Sequence, residues 1–299
     1  MKAMCAWLCG LLGFIASAQA AQPVILVSVK PLAWVAQALA PDGTEVQVLL
    51  PDGISPHDYQ LRPADALRVK NSALLLWVGP SLEPWLLQLA QQQAAGKNLA
   101  LLPDVLHTDA HHHHEEETHA VQHDPHIWLD PFALRDQAGV IAAGLMKLFP
   151  VDADNIRVRQ AQFEKAMTAL DVELSARFAP VAAQGFVVYH DGYQRLVQRY
   201  HLNQRAAVWQ HESIAAGARD RAALLQLLNS GSVRCLFYEP EYGADVVNGW
   251  LGNAASKVKM VELDALGQQV TVGEDSYSRF LLGLAGQMVE CLSGSGKAP

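Results

Sequence analysis

The sequence is short of cysteine, short of positive charge and without an apolar run long enough to cross a membrane. Each shortage removes a class of protein. Lys and Arg number 22 against 30 Asp and Glu, a formal net charge of −8 at pH 7. Nucleic acid is thereby excluded as a partner, since its recognition needs a basic footprint. The apolar stretch Ala6 to Ala16 is too short for a bilayer. With Lys2 before it and Ala18-Gln19-Ala20 after it, it has the layout of a cleavable export signal, with cleavage expected after Ala20. A lipid anchor would need a cysteine at the end of the run, and Cys5 and Cys9 stand at its start. Of four cysteines, Cys235 and Cys291 then remain. In an oxidising compartment such a pair makes one disulfide more often than two free thiols, and two buried thiols are the alternative.

What is present is apolar residue and alternation. Hydrophobic residues make up 51% of the chain, ample for a full core, and the mature 279 residues suit one or two domains. Val24 to Val29 is a continuous β-branched run, as in a strand buried on both faces. A helix from Pro31 to Leu39, a strand at Val46–Leu50, a helix led by Pro63, a strand at Ala73–Val78 and a helix from Leu82 to Ala95 follow. Asp154 to Phe178 contains no Gly or Pro, and Phe163, Met167, Leu170, Leu174 and Phe178 recur at helical spacing, which predicts one long amphipathic helix. Strand-like runs resume at Gly185–Tyr189, Ala206–Trp209 and Val233–Tyr238, with helical patterns at Arg219–Leu228 and Ser278–Leu292. Alternating elements of this length predict an α/β fold of two lobes, each a mainly parallel sheet flanked by helices, joined by one long rigid helix. The expected divisions are a signal peptide at 1–20, an N-terminal lobe at 21–150, the linking helix at 151–180 and a C-terminal lobe at 181–299.

The histidines are unevenly spread. Eight of twelve fall in one window: His107, His111, His112, His113, His114, His119 and His123, then His126 in Asp124-Pro125-His126-Ile127-Trp128-Leu129. Neutral imidazole suits zinc, copper and nickel. The run from 107 to 123, interleaved with Asp109, Glu115, Glu116 and Glu117, reads as a solvated loop that binds such ions weakly, whether or not it has a role. Three isolated histidines have more ordered settings. His57 lies in Ser55-Pro56-His57-Asp58-Tyr59 after the second strand, His126 in the motif above, and His190 directly after the strand that ends at Tyr189. Ligand sites in open α/β sheets gather at the carboxyl ends of strands. Asp264 follows another apolar run. Three neutral histidines and an oxygen donor would satisfy tetrahedral zinc, with Asp58 and Asp191 as acceptors that fix imidazole tautomers. Taken singly, each histidine is more often a loop residue than a ligand, and Asp264 more often caps a turn. His201 and His211 read as structural or surface residues, and Trp128 as core.

These motifs together resemble the metal-binding proteins of ABC-type metal uptake systems, specifically their zinc branch, the ZnuA family. The shared parts run in order along the mature chain: Ser55 to Pro63, the histidine-rich acidic loop, Asp124 to Pro131, the long helix, Tyr189-His190-Asp191-Gly192-Tyr193, Tyr238-Glu239-Pro240, Leu263 to Gly267, and Ser276-Tyr277-Ser278. The resemblance implies a site in the cleft between the lobes, with His57, His126 and His190 as Zn²⁺ ligands. In manganese-binding relatives a carboxylate stands at the position of His190, so a histidine there makes the site softer and favours Zn²⁺. Some zinc members carry an acidic residue before the first histidine, where this chain has Pro56. The fourth position therefore falls to Asp264 or to water, with water favoured. Cys235 and Cys291 match a disulfide of part of the zinc branch.

The implied function is a monomeric, high-affinity periplasmic zinc-binding component that hands Zn²⁺ to an inner-membrane ABC permease and its ATPase. Loop 107–123 would collect zinc transiently, sense its abundance or shield the site. The long helix would limit hinge motion. A manganese or iron transport component and a periplasmic zinc buffer without a transporter are the alternatives. Three histidines with an open position also describe a hydrolytic zinc centre. No His-x-His or His-Glu-x-x-His spacing and no compelling general base accompany them, so an enzyme is not expected.

Overall fold

A computed structural model describes residues 23–103, 124–209, 217–273 and 275–294. The export signal, Cys5, Cys9, the seven histidines from His107 to His123, and His211 lie outside the described residues.

The N-terminal lobe is built on four parallel strands, β1 (Val24–Val27), β2 (Glu45–Val48), β3 (Leu74–Trp77) and β4 (Asn98–Ala100), in the order β2-β1-β3-β4. Ile25, Leu26, Val27 and all of Leu74 to Trp77 are buried, as central strands covered on both faces must be. The helices are α1 (Lys30–Leu39), α2 (Pro63–Asn71), α3 (Leu87–Gln91) and α4 (Pro131–Leu148). Pro63 occupies the first turn of α2, where its missing N–H costs nothing.

The helix expected from Leu82 to Ala95 is instead a 3-10 turn at Pro84–Leu86 followed by the short α3. Pro84 holds Glu83 outside the α region, at φ −119° and ψ 65°. The Glu83 carboxylate is fully buried and accepts the Gly79 N–H at 2.9 Å, tying the chain into a loop. Burial raises its pKa to about 7.

The long helix forms as expected, as α5 (Ala153–Phe178), and its buried residues are Ile156 and the stripe Phe163, Met167, Leu170, Leu174 and Phe178. The C-terminal lobe repeats the parallel arrangement with β5 (Phe186–His190), β6 (Gln204–Trp209), β7 (Cys235–Tyr238) and β8 (Lys259–Glu262), ordered β6-β5-β7-β8. Its helices are α6 (Gln194–Arg199), α7 (Ala218–Asn229), α8 (Ala244–Leu251) and α9 (Ser276–Ser293). A disulfide joins Cys235 on β7 to Cys291 on α9.

The lobes share one core. Helix α9 returns to the N-terminal lobe, where Phe280 meets Trp34 of α1 at 5.1 Å between ring centroids. Trp34, Leu170, Phe237, Phe280 and Leu284 belong to a single buried cluster. Gly267, at φ +64°, lets the loop before α9 close on that contact: a Cβ there would lie 2.3 Å from Trp34 Cη2. The interlobe joint is therefore a packed interface as well as a helix.

Candidate metal centre

Three loops converge where the two sheets face each other. His57 sits between β2 and α2. Its loop is anchored by the Trp85 indole, which donates to the Pro56 carbonyl at 2.6 Å, and by the Ser55 hydroxyl, which accepts the His57 N–H at 3.2 Å. His126 precedes a 3-10 turn at Ile127–Leu129 that leads to Asp130, whose side chain caps α4 by accepting the Phe132 N–H at 2.8 Å. His190 is the last residue of β5, paired in register with Trp209.

These three residues, far apart in sequence, bring one ligand nitrogen each to within 4.8 Å of the others. Ring centroids are separated by 5.1 Å for His57–His126, 5.3 Å for His57–His190 and 5.0 Å for His126–His190. The Nε2 atoms of His57 and His126 are 3.1 Å apart. Two imidazole ligands of one tetrahedral zinc ion would have their nitrogens about 3.3 Å apart, given Zn–N bonds near 2.05 Å. The donor set, its spacing and its neutral chemistry thus fit Zn²⁺. Among the described residues these three make the one such group of potential ligands.

The electrostatics favour a neutral His57 ring. The His57 pKa is held well below its ordinary 6.5, first by burial and then by the other two imidazoles. His126 is oriented by Asp124, whose Oδ1 accepts the His126 backbone N–H at 2.9 Å and lies 2.7 Å from Nδ1. A proton on Nδ1 leaves Nε2 facing the pocket as a lone pair. Burial pushes Asp124 upward, yet the His126 ring, its hydrogen bonds and Arg195 leave the carboxyl net below its ordinary pKa.

Gly192 makes the close approach feasible. A Cβ there would lie 2.8 Å from His190 Cε1, 3.0 Å from His190 Nδ1 and 3.3 Å from His126 Cε1. Trp128 is fully buried, as its apolar character predicts, and also walls the pocket, 5.3 Å from the His126 ring. Its indole donates to the Ala265 carbonyl of the opposite lobe at 2.8 Å, and the Tyr277 hydroxyl donates to its carbonyl at 2.9 Å.

Asp264 stands apart from the three-histidine group. Its Oδ2 caps a turn by accepting the Gln269 N–H at 3.2 Å, while Oδ1 is buried without a partner. The residues after it, Ala265 and Leu266, line the pocket in its place. The tautomer-fixing acceptors also differ from expectation. Asp191 Oδ1 accepts from Gln194 and Gln204, each at 2.7 Å, and Asp58 is exposed. Asp124 does that work for His126, and Glu239 lies 3.6 Å from His190 Nδ1. Asp124 was recognisable as an acid two residues before a histidine, with proline between. His201 lies away from the pocket, in an exposed turn at φ +52°.

Glu239 and Glu241 form the acidic wall of the pocket. Glu241 has its pKa raised to about 7 by burial, with Glu239 and Asp264 adding to the shift. Across its rim, Gln268 accepts the Gly53 N–H at 3.0 Å and donates to Glu241 at 2.6 Å, so one side chain ties the His57 loop to the opposite lobe. Lys30 adds a bond to the Gln268 carbonyl.

Comparison with known proteins points the same way. Residues 25–291 match the family model for zinc-uptake complex component A, periplasmic. A high-affinity zinc uptake system protein of Yersinia pestis is 31% identical over 294 residues, covering 91% of this chain and 92% of that protein. Its counterpart in Haemophilus influenzae is 28% identical and covers 90% and 93%. The crystal structure of a ZnuA protein superposes with a TM-score of 0.72 at 22% identity, covering 91% of this chain and 99% of that one. The periplasmic zinc-binding protein TroA of Treponema pallidum gives 0.74 at 18%, with coverage of 91% and 99%. At such identities the structural likeness shows the fold alone.

Proposed function

The chain belongs to the ZnuA family of periplasmic zinc-uptake components, and from that premise we propose that it captures Zn²⁺ on His57, His126 and His190 and delivers it to a membrane permease. The observation that carries this reading is the convergence of three imidazole nitrogens within 4.8 Å between the sheets of the two lobes. Zn²⁺ is the transported cargo. Water completes the tetrahedron, with Asp264 as the alternative through its free Oδ1, because Asp264 stands outside the three-histidine group and Pro56 offers no carboxylate.

The remaining parts of the reading follow the sequence. The signal at 1–20 is cleaved after Ala20 and the mature chain works in the periplasm as a monomer. Its lobes are 21–150 and 181–299, with 151–180 as the link. Among the described residues no helix is long and apolar enough to cross a membrane. Loop 107–123 gathers zinc weakly through His107, His111, His112, His113, His114, His119 and His123. An ABC permease with its ATPase receives the ion, and the shared core of the lobes keeps the opening that releases it small.

The direct test is Zn²⁺ titration against a competing chelator for wild type and His126→Ala, with metal content measured by mass spectrometry on protein purified without a tag. Loss of the tight site in the variant supports the assignment, and unchanged affinity sinks it. Deleting 107–123 should remove weak equivalents and spare the tight one. Competition with Mn²⁺ and Fe²⁺ separates the zinc reading from its nearest alternative. Absence of permease and ATPase genes beside this one would favour a buffer, and turnover of ester, amide or phosphate substrates would favour a hydrolase.

A further inference from the structure

Glu239 directly follows β7, and His190 ends β5, the strand beside it. From β5 the sheet continues to β6 on one side and to β7 on the other. The two residues therefore flank the point where the strand order reverses, the crevice at which open α/β sheets bind their ligands. Glu239 is only 4% exposed, and both of its carboxylate oxygens are buried with no hydrogen-bond partner. Among the described residues no other side chain leaves both carboxylate oxygens in that state. The buried hydroxyl of Tyr193 stands nearby, too far for a full hydrogen bond, and its pKa is raised well above 10, first by burial and then by Glu239 through its charge and a weak, long hydrogen bond.

A buried carboxylate without donors is costly unless positive charge compensates it. Glu239 Oε1 lies 3.6 Å from His190 Nδ1, too long for a hydrogen bond but on the correct nitrogen for one. The neighbouring ligand shows the completed version: Asp124 Oδ1 stands 2.7 Å from His126 Nδ1. Resting on the three-histidine reading of the site, we propose that Glu239 is a positioning residue for His190. When Zn²⁺ takes the Nε2 lone pair, the ring proton resides on Nδ1 and is donated to Glu239. The ring is thereby fixed, and two buried carboxylates, Asp124 and Glu239, balance the two charges of an ion held by neutral ligands.

This assignment separates metal affinity from apo-protein stability, because neither Glu239 oxygen has a partner at full hydrogen-bond distance before zinc arrives and an amide keeps an accepting oxygen for the nearby Tyr193 hydroxyl. Wild type, Glu239→Gln and His126→Ala are stripped with chelator, and each is measured for apo Tm and for Zn²⁺ affinity by competition. The expected result is a ten- to hundredfold weaker Zn²⁺ affinity for E239Q with an apo Tm that holds or rises. A nitrogen-15 spectrum of the zinc-loaded wild type should show the His190 proton on Nδ1. Unchanged affinity in E239Q overturns the proposal, as does a fall in apo Tm, which marks a structural role, or a His190 proton on Nε2. If H126A also keeps the tight site, the three-histidine reading itself fails, whatever E239Q does.

Discussion

Asp124 Oδ1 lies 2.7 Å from His126 Nδ1, and the same carboxylate is gripped from the opposite lobe: Asp124 Oδ2 accepts the Arg195 backbone N–H at 3.1 Å. The Asp124 carbonyl also accepts from the Arg195 guanidinium at 2.6 Å. Three N–H donors thus converge on one buried carboxylate, those of the His126 backbone, the His126 ring and Arg195. An amide in its place has a single accepting oxygen and would turn its NH₂ toward a donor. Asp124→Asn should therefore weaken Zn²⁺ about ten- to hundredfold and destabilise the apo-protein by about 1–3 kcal/mol, the cost of an unmatched buried donor. Competition titration and thermal unfolding check both numbers. Full zinc affinity in this variant would show that His126 needs no carboxylate to orient it.

Gly192 separates shape from charge at the site. A methyl group there would stand 2.8 Å from His190 Cε1 and 3.3 Å from His126 Cε1, so one of the rings must move. Gly192 is not among the glycines of positive φ, so alanine brings no backbone strain of its own. Gly192→Ala should keep the fold, with a circular dichroism spectrum like the wild type, and lose at least about tenfold in Zn²⁺ affinity, since a ligand displaced by a few tenths of an ångström leaves the tetrahedron. An unchanged affinity would mean that the rings yield freely.

The two lobes and the long helix were legible because their signals are local. Buried parallel strands read as continuous apolar runs, and the stripe from Phe163 to Phe178 keeps a helical period within a helix of 26 residues without Gly or Pro. The three histidines were legible as residues in turns near strand ends, though nothing local shows that 57, 126 and 190 meet. What escaped were features set by tertiary context. The helix expected over Leu82–Ala95 broke because Pro84 keeps Glu83 out of the α region and the buried Glu83 carboxylate is drawn inward to cap Gly79. Asp264 follows an apolar run much as Glu239 does. Only the fold tells that one carboxylate turns onto its own loop while the other faces His190. Helix α4 escaped for a different reason: Gly139 and Gly144 dilute its apolar pattern, and the tolerance for Gly144 comes from its close packing on Leu99, 3.0 Å from a Cβ placed there.

The Cys235–Cys291 disulfide spans 56 residues and ties the central strand β7 to α9, the helix that packs on both lobes. By the chain-entropy estimate, closing a loop of that length contributes about 4 kcal/mol. Cys235→Ala/Cys291→Ala should lower the denaturant midpoint and steepen the slope, because the unlinked denatured chain is more expanded, while zinc affinity stays within about threefold, since neither cysteine lines the pocket. A loss of zinc binding at temperatures where the variant remains folded would show that α9 transmits its position to the site.

The pH dependence carries a definite sign. His57 has its folded-state pKa depressed below the unfolded value of about 6.5, chiefly by burial. Above that value neither state binds the proton and the residue leaves stability unchanged. As pH falls through 6.5 the unfolded chain takes up a proton that the folded protein resists, so apo-protein stability must decline towards the folded pKa. Apo-protein unfolding measured between pH 7.5 and 5 should show this decline, and His57→Asn should flatten it. Zinc excess lifts the whole curve, by about 4 kcal/mol at about a thousand times its Kd, but does not flatten it, because an ion that holds the imidazole deprotonated keeps the difference in bound protons between unfolded and folded chain at its full size. Equal slopes for wild type and the His57 variant would show that the ring is neutral for reasons that do not differ between the folded and unfolded chain.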